Sequence, residues 1–296
     1  MIITRQQDVT DVVLDAMSPA PDYRLRTVMA SFVRHLHAFA RDVRLTEAEF
    51  EFAIDFLNRI GQATNDTHNE AVLFSDAVGL STLVCLLNNG QDGASETAAA
   101  LLGPFWRANA PQMENGASIV RSPTPGPPLF VSCNIRDAQG APIDGARVDV
   151  WQASPSGMYE NQDAGQADMN LRGVFTTDAD GRFGFRSVKP AGYPVPTHGP
   201  TGEMLAAQRR HPYRPAHLHV LAYKPGFKTL ITQVFVDDDE HLESDVVFGV
   251  TRALIGDFRK GEGTPPAPDV SGEWFSLNYT FVMEPGEAVL PHPPIK

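Results

Sequence analysis

The densest chemistry in the chain lies in the segment His211-Pro212-Tyr213-Arg214-Pro215-Ala216-His217-Leu218-His219-Val220. Side chains alternate along a strand, so His217 and His219 point to one face, close enough to share a metal ion. By itself this pair also fits two ordinary imidazoles. Two tyrosines lie upstream in turn-rich contexts, Ser154-Pro155-Ser156-Gly157-Met158-Tyr159 and Lys189-Pro190-Ala191-Gly192-Tyr193-Pro194. A loop tyrosine is ordinarily an amphipathic anchor. Two phenolates with two neutral imidazoles would suit a hard, highly charged cation, favouring iron(III) over zinc.

Other chemistries fit less well. A zinc hydrolase built on His217 and His219 needs a third ligand and a general base. Glu240 and His241 are the nearest candidates, but they follow the acidic run Asp237-Asp238-Asp239, which reads as a solvated loop. Asp178-Ala179-Asp180-Gly181 lacks the ligand spacing and closing glutamate of a calcium loop and predicts a hairpin turn. Neither an internal repeat nor a glycine-rich phosphate loop is evident. A non-catalytic β-sandwich that binds a small hydrophobic ligand is the reading from another class, and it predicts a colourless, iron-free protein. His35, His37, His68, His211 and His292 carry no assignable role.

The elements that must position these residues fall into two textures. From Asp8 to about Asn89 the apolar residues recur at helical spacing. Leu25, Val28, Met29, Phe32, Leu36 and Phe39 form one stripe; a second helix opens on the capping box Thr46-Glu47-Ala48-Glu49 and is expected to stop at Gly61. A third stretch, Asn69 to Leu87, is apolar almost all round apart from Asp76, which predicts that it is covered on most sides by the chain itself or by a partner subunit. After Pro104 the texture becomes short and alternating. Strands are expected at Leu129 to Ile135, Arg147 to Gln152, Gly173 to Thr177, Arg182 to Val188, His217 to Tyr223, Thr229 to Val236 and Phe275 to Met283. The fold class this predicts is α+β, an antiparallel β-sandwich over residues 101–296 with a helical module over residues 1–100.

Bulk properties bound the partners. The 296 residues carry a net charge of -12, from 36 acidic against 24 basic side chains, which argues against nucleic acid. Cys85 and Cys133 sit in apolar surroundings and read as buried free thiols. The N-terminus turns polar at once and no apolar run is long enough to cross a bilayer, so a cytoplasmic protein without a membrane partner is expected.

Tyr159, Tyr193 and the run Arg214-Pro215-Ala216-His217-Leu218-His219, in that order and approximate spacing, resemble the iron-binding pattern of the intradiol ring-cleaving dioxygenases. The resemblance extends through Asp149-Val150-Trp151-Gln152-Ala153 and Thr232-Gln233. The N-terminal helices resemble the linker module through which catechol-type members dimerise, and between whose helices some relatives carry a lipid. The resemblance implies iron(III) held by Tyr159, Tyr193, His217 and His219, and a homodimer acting on an aromatic diol and O₂. It implies that Tyr193 leaves the iron and accepts a proton when the diol binds, that Arg214 stabilises developing negative charge on the ring, and that Gln233 lies in the oxygen pocket.

The pocket residues narrow the substrate. Leu102-Gly103-Pro104-Phe105 resembles the segment that covers the ring. Leu73, Asp76, Val195 and Pro196, with Val247 opposite, are similar to the pocket of members that cleave hydroxyquinol, 1,2,4-trihydroxybenzene; catechol and chlorocatechols are the alternatives. Asp76 would pair with the extra ring hydroxyl, the other reading being a cap or partner within the helices. One departure is His198-Gly199-Pro200, where an acidic residue is expected before the glycine.

Overall fold

The helical spacing of the N-terminal region is realised as α1 (Asp8–Met17), α2 (Tyr23–Asp42) and α3 (Glu47–Ala63). The computed structural model describes residues 2–89 and 97–295. Asp22 opens α2 by accepting a hydrogen bond from the Leu25 amide at 3.0 Å. The capping box forms as expected: the Glu49 amide donates to Thr46 Oγ1 at 3.3 Å and the Thr46 amide to Glu49 Oε2 at 2.9 Å. Helix α3 runs through the expected stop at Gly61 and ends at Ala63, because Gly61 faces open space and nothing there forces a turn.

The third apolar stretch is two helices, α4 (Glu70–Ala77) and α5 (Leu80–Asn89), bent by 77°. Gly79, at φ +75°, supplies the left-handed residue that ends α4, a conformation costly for any side chain bearing a Cβ. Leu73, Asp76 and Ala77 of α4 are buried, but Leu80, Leu83, Val84 and Leu87 of α5 are about half exposed or more, so of the two expected covers the chain itself supplies only that of α4. By compactness the chain divides into units at 1–58 and 59–296, so α4 and α5 fall in the second.

That second unit carries the strands β1 (Pro128–Asp137), β2 (Arg147–Trp151), β3 (Arg172–Thr176), β4 (Arg182–Val188), β5 (Tyr193–Pro194), β6 (Tyr213–Arg214), β7 (His217–Tyr223), β8 (Leu230–Val236), β9 (Ile255–Gly256), β10 (Phe258–Lys260) and β11 (Phe275–Met283). They form a four-stranded sheet, β10-β11-β1-β4, a five-stranded sheet, β3-β2-β7-β8-β9, and the ribbon β5-β6. The sheets are mixed, which corrects the antiparallel expectation: β1 pairs with β11, and β8 with β9, in parallel. Alternation marks a strand's faces but carries no direction, so parallel pairing of distant segments leaves no local trace.

One hydrophobic cluster draws on both larger sheets, including Leu129, Val131 and Phe185 from one and Val150, Val220 and Val234 from the other. The Asp178-Ala179-Asp180-Gly181 turn forms, with Asp178 Oδ1 accepting from the Asp180 and Arg182 amides at 3.0 and 2.8 Å. It is not a hairpin, because β3 and β4 belong to different sheets. Cys133 is buried as expected, whereas Cys85 is only partly so. The acidic run is anchored as well as solvated, since Asp239 Oδ2 accepts from the Ala216 amide at 2.9 Å and Asp238 pairs with Lys189. Helix α6 (Pro200–Ala207) has no counterpart in the sequence expectations; at its start the Thr201 amide donates to Glu70 Oε1 at 2.8 Å.

Candidate metal centre

The five-stranded sheet divides its side chains between two faces. Val148, Val150, Leu218, Val220, Val234 and Val236 enter the shared core. The residues that alternate with them, Asp149, Trp151, His217, His219, Gln233 and Phe235, therefore project from the other face. In-register pairing sets Arg172 beside Trp151, Trp151 beside His219, and His219 beside Gln233 across four adjacent strands. A buried strand thus delivers two imidazoles among neighbours that fix their planes. Trp151 stacks on His219 with ring centroids 4.5 Å apart and 7° between planes, and Phe235 lies 5.3 Å from His217.

The two tyrosines arrive from outside that sheet. Tyr159 follows the Gly157 turn, φ +84°, and opens a short 3₁₀ turn, Glu160–Gln162. Tyr193 stands on the β5-β6 ribbon directly opposite Arg214, an element too short for alternation to reveal. The phenol and imidazole atoms converge: Tyr159 Oη lies 2.9 Å from His219 Nε2 and 3.1 Å from Tyr193 Oη, and His217 Nε2 lies 3.1 Å from His219 Nε2. Two donors each about 2.0 to 2.1 Å from one ion stand about 2.9 to 3.4 Å apart, so this spacing suits a shared cation. His217 Nδ1 lies 2.7 Å from the Pro215 carbonyl oxygen, an arrangement that leaves Nε2 turned inward as a lone pair. Among the described residues no three His, Cys, Asp or Glu side chains form a metal cluster, so an ion held here would draw on the phenols as well as the imidazoles.

Burial sets the protonation of the donors. It pushes the His217 imidazole down to about 3, with the Arg214 charge adding to the effect, and His219 well below the usual imidazole range, helped by His217 and Arg214. Both are therefore neutral near pH 7. Burial raises Tyr159 well above the ordinary phenol, with Tyr193 beside it adding to the rise; Tyr193 is raised by burial too, but Arg214 offsets part of it. Two phenols that resist ionisation unaided become good ligands when a highly charged cation supplies the compensation.

Of the expected pocket residues, Phe105 and Gly103 lie directly against the rings of this centre. Phe105 stacks on Tyr159 at 4.5 Å, and Gly103 lies beside the His219 ring in a left-handed conformation, φ +73°, that favours a residue without a Cβ. Leu73, Val195 and Val247 share one buried cluster with Leu101 and Val246. Pro104 and Pro196 are half-buried. Asp76 is buried, and burial raises its carboxyl to about 6, with Ser81 partly offsetting the shift. His198 is exposed and faces His68 at 5.6 Å rather than the donor atoms. Glu240 is exposed, and His241 stacks on Tyr213 at 4.9 Å, outside the convergence of donors.

Gln233 has both ends of its amide engaged: Oε1 accepts from Arg214 Nη2 at 3.0 Å and Nε2 donates to the Leu101 carbonyl at 2.8 Å. Arg214 is buried and is both a site residue and an ion-pair partner, since Asp245 accepts from its Nε at 3.1 Å while Nη1 lies 3.3 Å from His217 Nε2. Sequence reasoning missed Asp245, which has no local signal for a partner so far away in the chain. It also missed Arg172, whose guanidinium binds Glu160 at 2.7 Å and the Phe105 carbonyl at 2.6 Å. An arginine heading an otherwise apolar strand was the available clue.

The family model described as "Dioxygenase" matches residues 101–285, and that described as "Catechol dioxygenase N terminus" matches residues 22–96. The chain belongs to the intradiol ring-cleavage dioxygenases. It is 43% identical over 278 residues to a hydroxyquinol 1,2-dioxygenase of Rhizobium sp. (strain MTP-10005), covering 92% of this chain and 93% of that protein. It is 40% identical to a 6-chlorohydroxyquinol 1,2-dioxygenase of Cupriavidus pinatubonensis, over 95% of this chain and 98% of the relative. Among solved structures, hydroxyquinol 1,2-dioxygenase from Pseudomonas putida DLL-E4 superposes with a TM-score of 0.88 at 38% identity, covering 95% of this chain and 99% of the other.

Proposed function

We propose that this enzyme cleaves hydroxyquinol with O₂ between its adjacent hydroxyls, using iron(III) held by Tyr159, Tyr193, His217 and His219. The observation that carries the reading is the convergence of two phenol oxygens and two imidazole nitrogens within 3.1 Å steps in a buried site. Bound iron(III) supplies a Lewis acid that favours the deprotonated diol and renders its electron-rich ring reactive toward O₂. The product is 3-hydroxy-cis,cis-muconate, which tautomerises to maleylacetate and carries both atoms of the O₂.

The chain's own residues bind, orient and move a proton. Tyr193 Oη takes a proton from the incoming diol, and the Arg214 guanidinium beside it favours the charged phenolate until that transfer. Tyr159, buried and stacked on Phe105, keeps its place. Arg214 presents a fixed cation where negative charge develops on the ring, and Gln233 holds that cation while lining the space for O₂. Leu73, Val195, Pro196 and Val247 wall the ring; Gly103, Pro104 and Phe105 cover it; and Asp76 accepts the third hydroxyl. Neutral imidazoles at His217 and His219 leave the charge balance to the phenols.

The same reading makes residues 1–100 a linker that dimerises, next to a β-sandwich of residues 101–296, in a cytoplasmic protein. Apolar faces left open on the helices support it, as at Leu25, Phe32 and Phe39 of α2 and Leu83 and Leu87 of α5. A cavity of about 560 Å³ lined by Leu80, Val84, Cys85, Leu101 and Ile231 supports a lipid chain lodged there. The deciding test is the iron content and visible spectrum of the purified enzyme, before and after anaerobic hydroxyquinol. About one iron per chain with a red-brown band that shifts on adding the diol is expected. Colourless protein that stays iron-free after iron is supplied would sink the reading.

A further inference from the structure

Asp245 lies outside the donor set and outside the ring-binding walls, yet it is buried with four donors on its two oxygens. Arg214 Nε reaches Oδ1 at 3.1 Å and Arg214 Nη2 reaches Oδ2 at 3.2 Å. The Val247 amide donates to Oδ1 at 3.3 Å and the Gly249 amide to Oδ2 at 2.9 Å. One carboxylate therefore clasps a guanidinium on one side and a backbone turn on the other. That turn carries Val247, which packs in the same buried cluster as Leu73 and Val195. It is tied in turn to the helices, since Thr82 Oγ1 donates to the Val247 carbonyl at 2.9 Å and Arg210 links the Val246 and Ala77 carbonyls.

The turn is built around the ion pair. A Cβ on Gly249 would stand 3.0 Å from Arg214 Nη2 and 3.1 Å from Asp245 Oδ2, so only a bare backbone passes there without pushing the pair aside. The remaining directions of the guanidinium are then fixed, with Nη1 3.3 Å from His217 Nε2 and Nη2 3.0 Å from Gln233 Oε1. A planar fork held on one edge by a carboxylate has no freedom to turn its other edge.

We infer that Asp245 is a positioning residue for the ring cleavage: it aims Arg214 at the metal-side face of the pocket and, through the Val247 amide, sets the pocket wall in the same register. The inference rests on the proposed iron(III) reading of the site. Asp245 acts only through Arg214 and the turn, and touches neither the donor atoms nor the ring.

The test is a cycle of D245N, R214Q and the double variant, with iron content and the visible band measured on each before kinetics with hydroxyquinol. D245N is expected to keep its iron and band, lose about 10- to 100-fold in kcat and change KM by less than about 3-fold, the signature of misdirected rather than absent binding. The double variant should be no slower than R214Q alone, because Asp245 has nothing left to aim. Multiplicative losses in the double variant, or a D245N kcat within about 2-fold of wild type, would overturn the inference. Should D245N fail to load iron, G249A carries the comparison, since it keeps both side chains and only displaces them; an unchanged kcat there also overturns it. A wild-type enzyme without iron or without hydroxyquinol turnover is the separate failure of the proposed function, and it would take this inference with it.

Discussion

The two tyrosines of the site are held very differently. Tyr159 is sealed on every side: Phe105 stacks on its ring at 4.5 Å, the Arg172 guanidinium stands 5.9 Å from its centroid, and its amide donates to Gln162 Oε1 at 3.0 Å. The residue after it, Glu160, is gripped by Arg172 at 2.7 Å and by Arg107 at 2.8 Å. Tyr193 stands on a two-residue strand whose next residue, Pro194, is exposed, and its hydroxyl faces Tyr159 Oη and the Arg214 guanidinium. Side chains of the same chemistry thus differ in the stiffness of their support and in the charge beside them. A braced phenol suits permanent ligation; a phenol on a short ribbon next to a cation suits release and proton uptake.

The sharpest way to break this contrast is to remove each hydroxyl in turn. Y159F is expected to lose most of its iron and nearly all activity, whereas Y193F should retain iron but fall about 100-fold or more in kcat, as proton transfer is lost. Metal analysis with visible spectra checks both. If the two variants lose iron equally, the difference in support has no functional counterpart.

Bracing can be tested apart from ligation. E160Q leaves Arg172 buried without its carboxylate, and removing one partner of a buried pair costs about 3 to 5 kcal/mol. Urea unfolding should show that loss, while any iron still bound keeps the spectral response to the diol that depends on Tyr193. A spectrum altered to the same degree as in Y193F would show that the two walls are one mechanical unit.

Much of this contrast was legible in the sequence and part of it was not, for physical reasons. Alternation over Leu129 to Ile135 or His217 to Tyr223 marks strands because both faces repeat every two residues, and it put His217 and His219 on one side. Residues 193–194 and 213–214 are too short to alternate, so the ribbon that pairs Tyr193 with Arg214 could not be seen. Gly79 carried a visible break signal within an apolar run that otherwise read as continuous helix. The bonds from Asp245 to Arg214 and from Glu70 to Thr201 exist only in the folded chain, where distant segments meet. Short-range patterns report what a residue does for its neighbours, and these residues serve partners far along the sequence.

Asp76 tests whether the proposed pocket is tuned for a third ring hydroxyl. Its folded-state carboxyl, raised by burial to about 6 from an unfolded value near 3.8, binds a proton on folding between those values. Folding stability from this group therefore falls as pH climbs from about 4 to 6, by about 3 kcal/mol for a shift of about two units. D76N should remove that fall, so thermal melts of variant and parent should differ more at pH 8 than at pH 4. The same variant should lower the hydroxyquinol-to-catechol activity ratio by about 10-fold or more if the carboxyl meets the extra hydroxyl. An unchanged ratio would leave Asp76 a purely structural acid.

The smallest expected effect sets the scale for the others. T46A removes the hydroxyl that accepts from the Glu49 amide at 3.3 Å at the start of α3, and caps of this kind contribute about 1 kcal/mol. Both Thr46 and Glu49 are exposed, so the loss is confined to the helix end. Denaturant unfolding should register it, while the iron band, kcat and KM stay within error of the parent. That outcome ties the losses in E160Q and Y193F to the walls they perturb and not to lowered stability as such. A T46A enzyme that lost activity in proportion to its stability would remove that distinction, because any destabilised variant would then mimic a damaged wall.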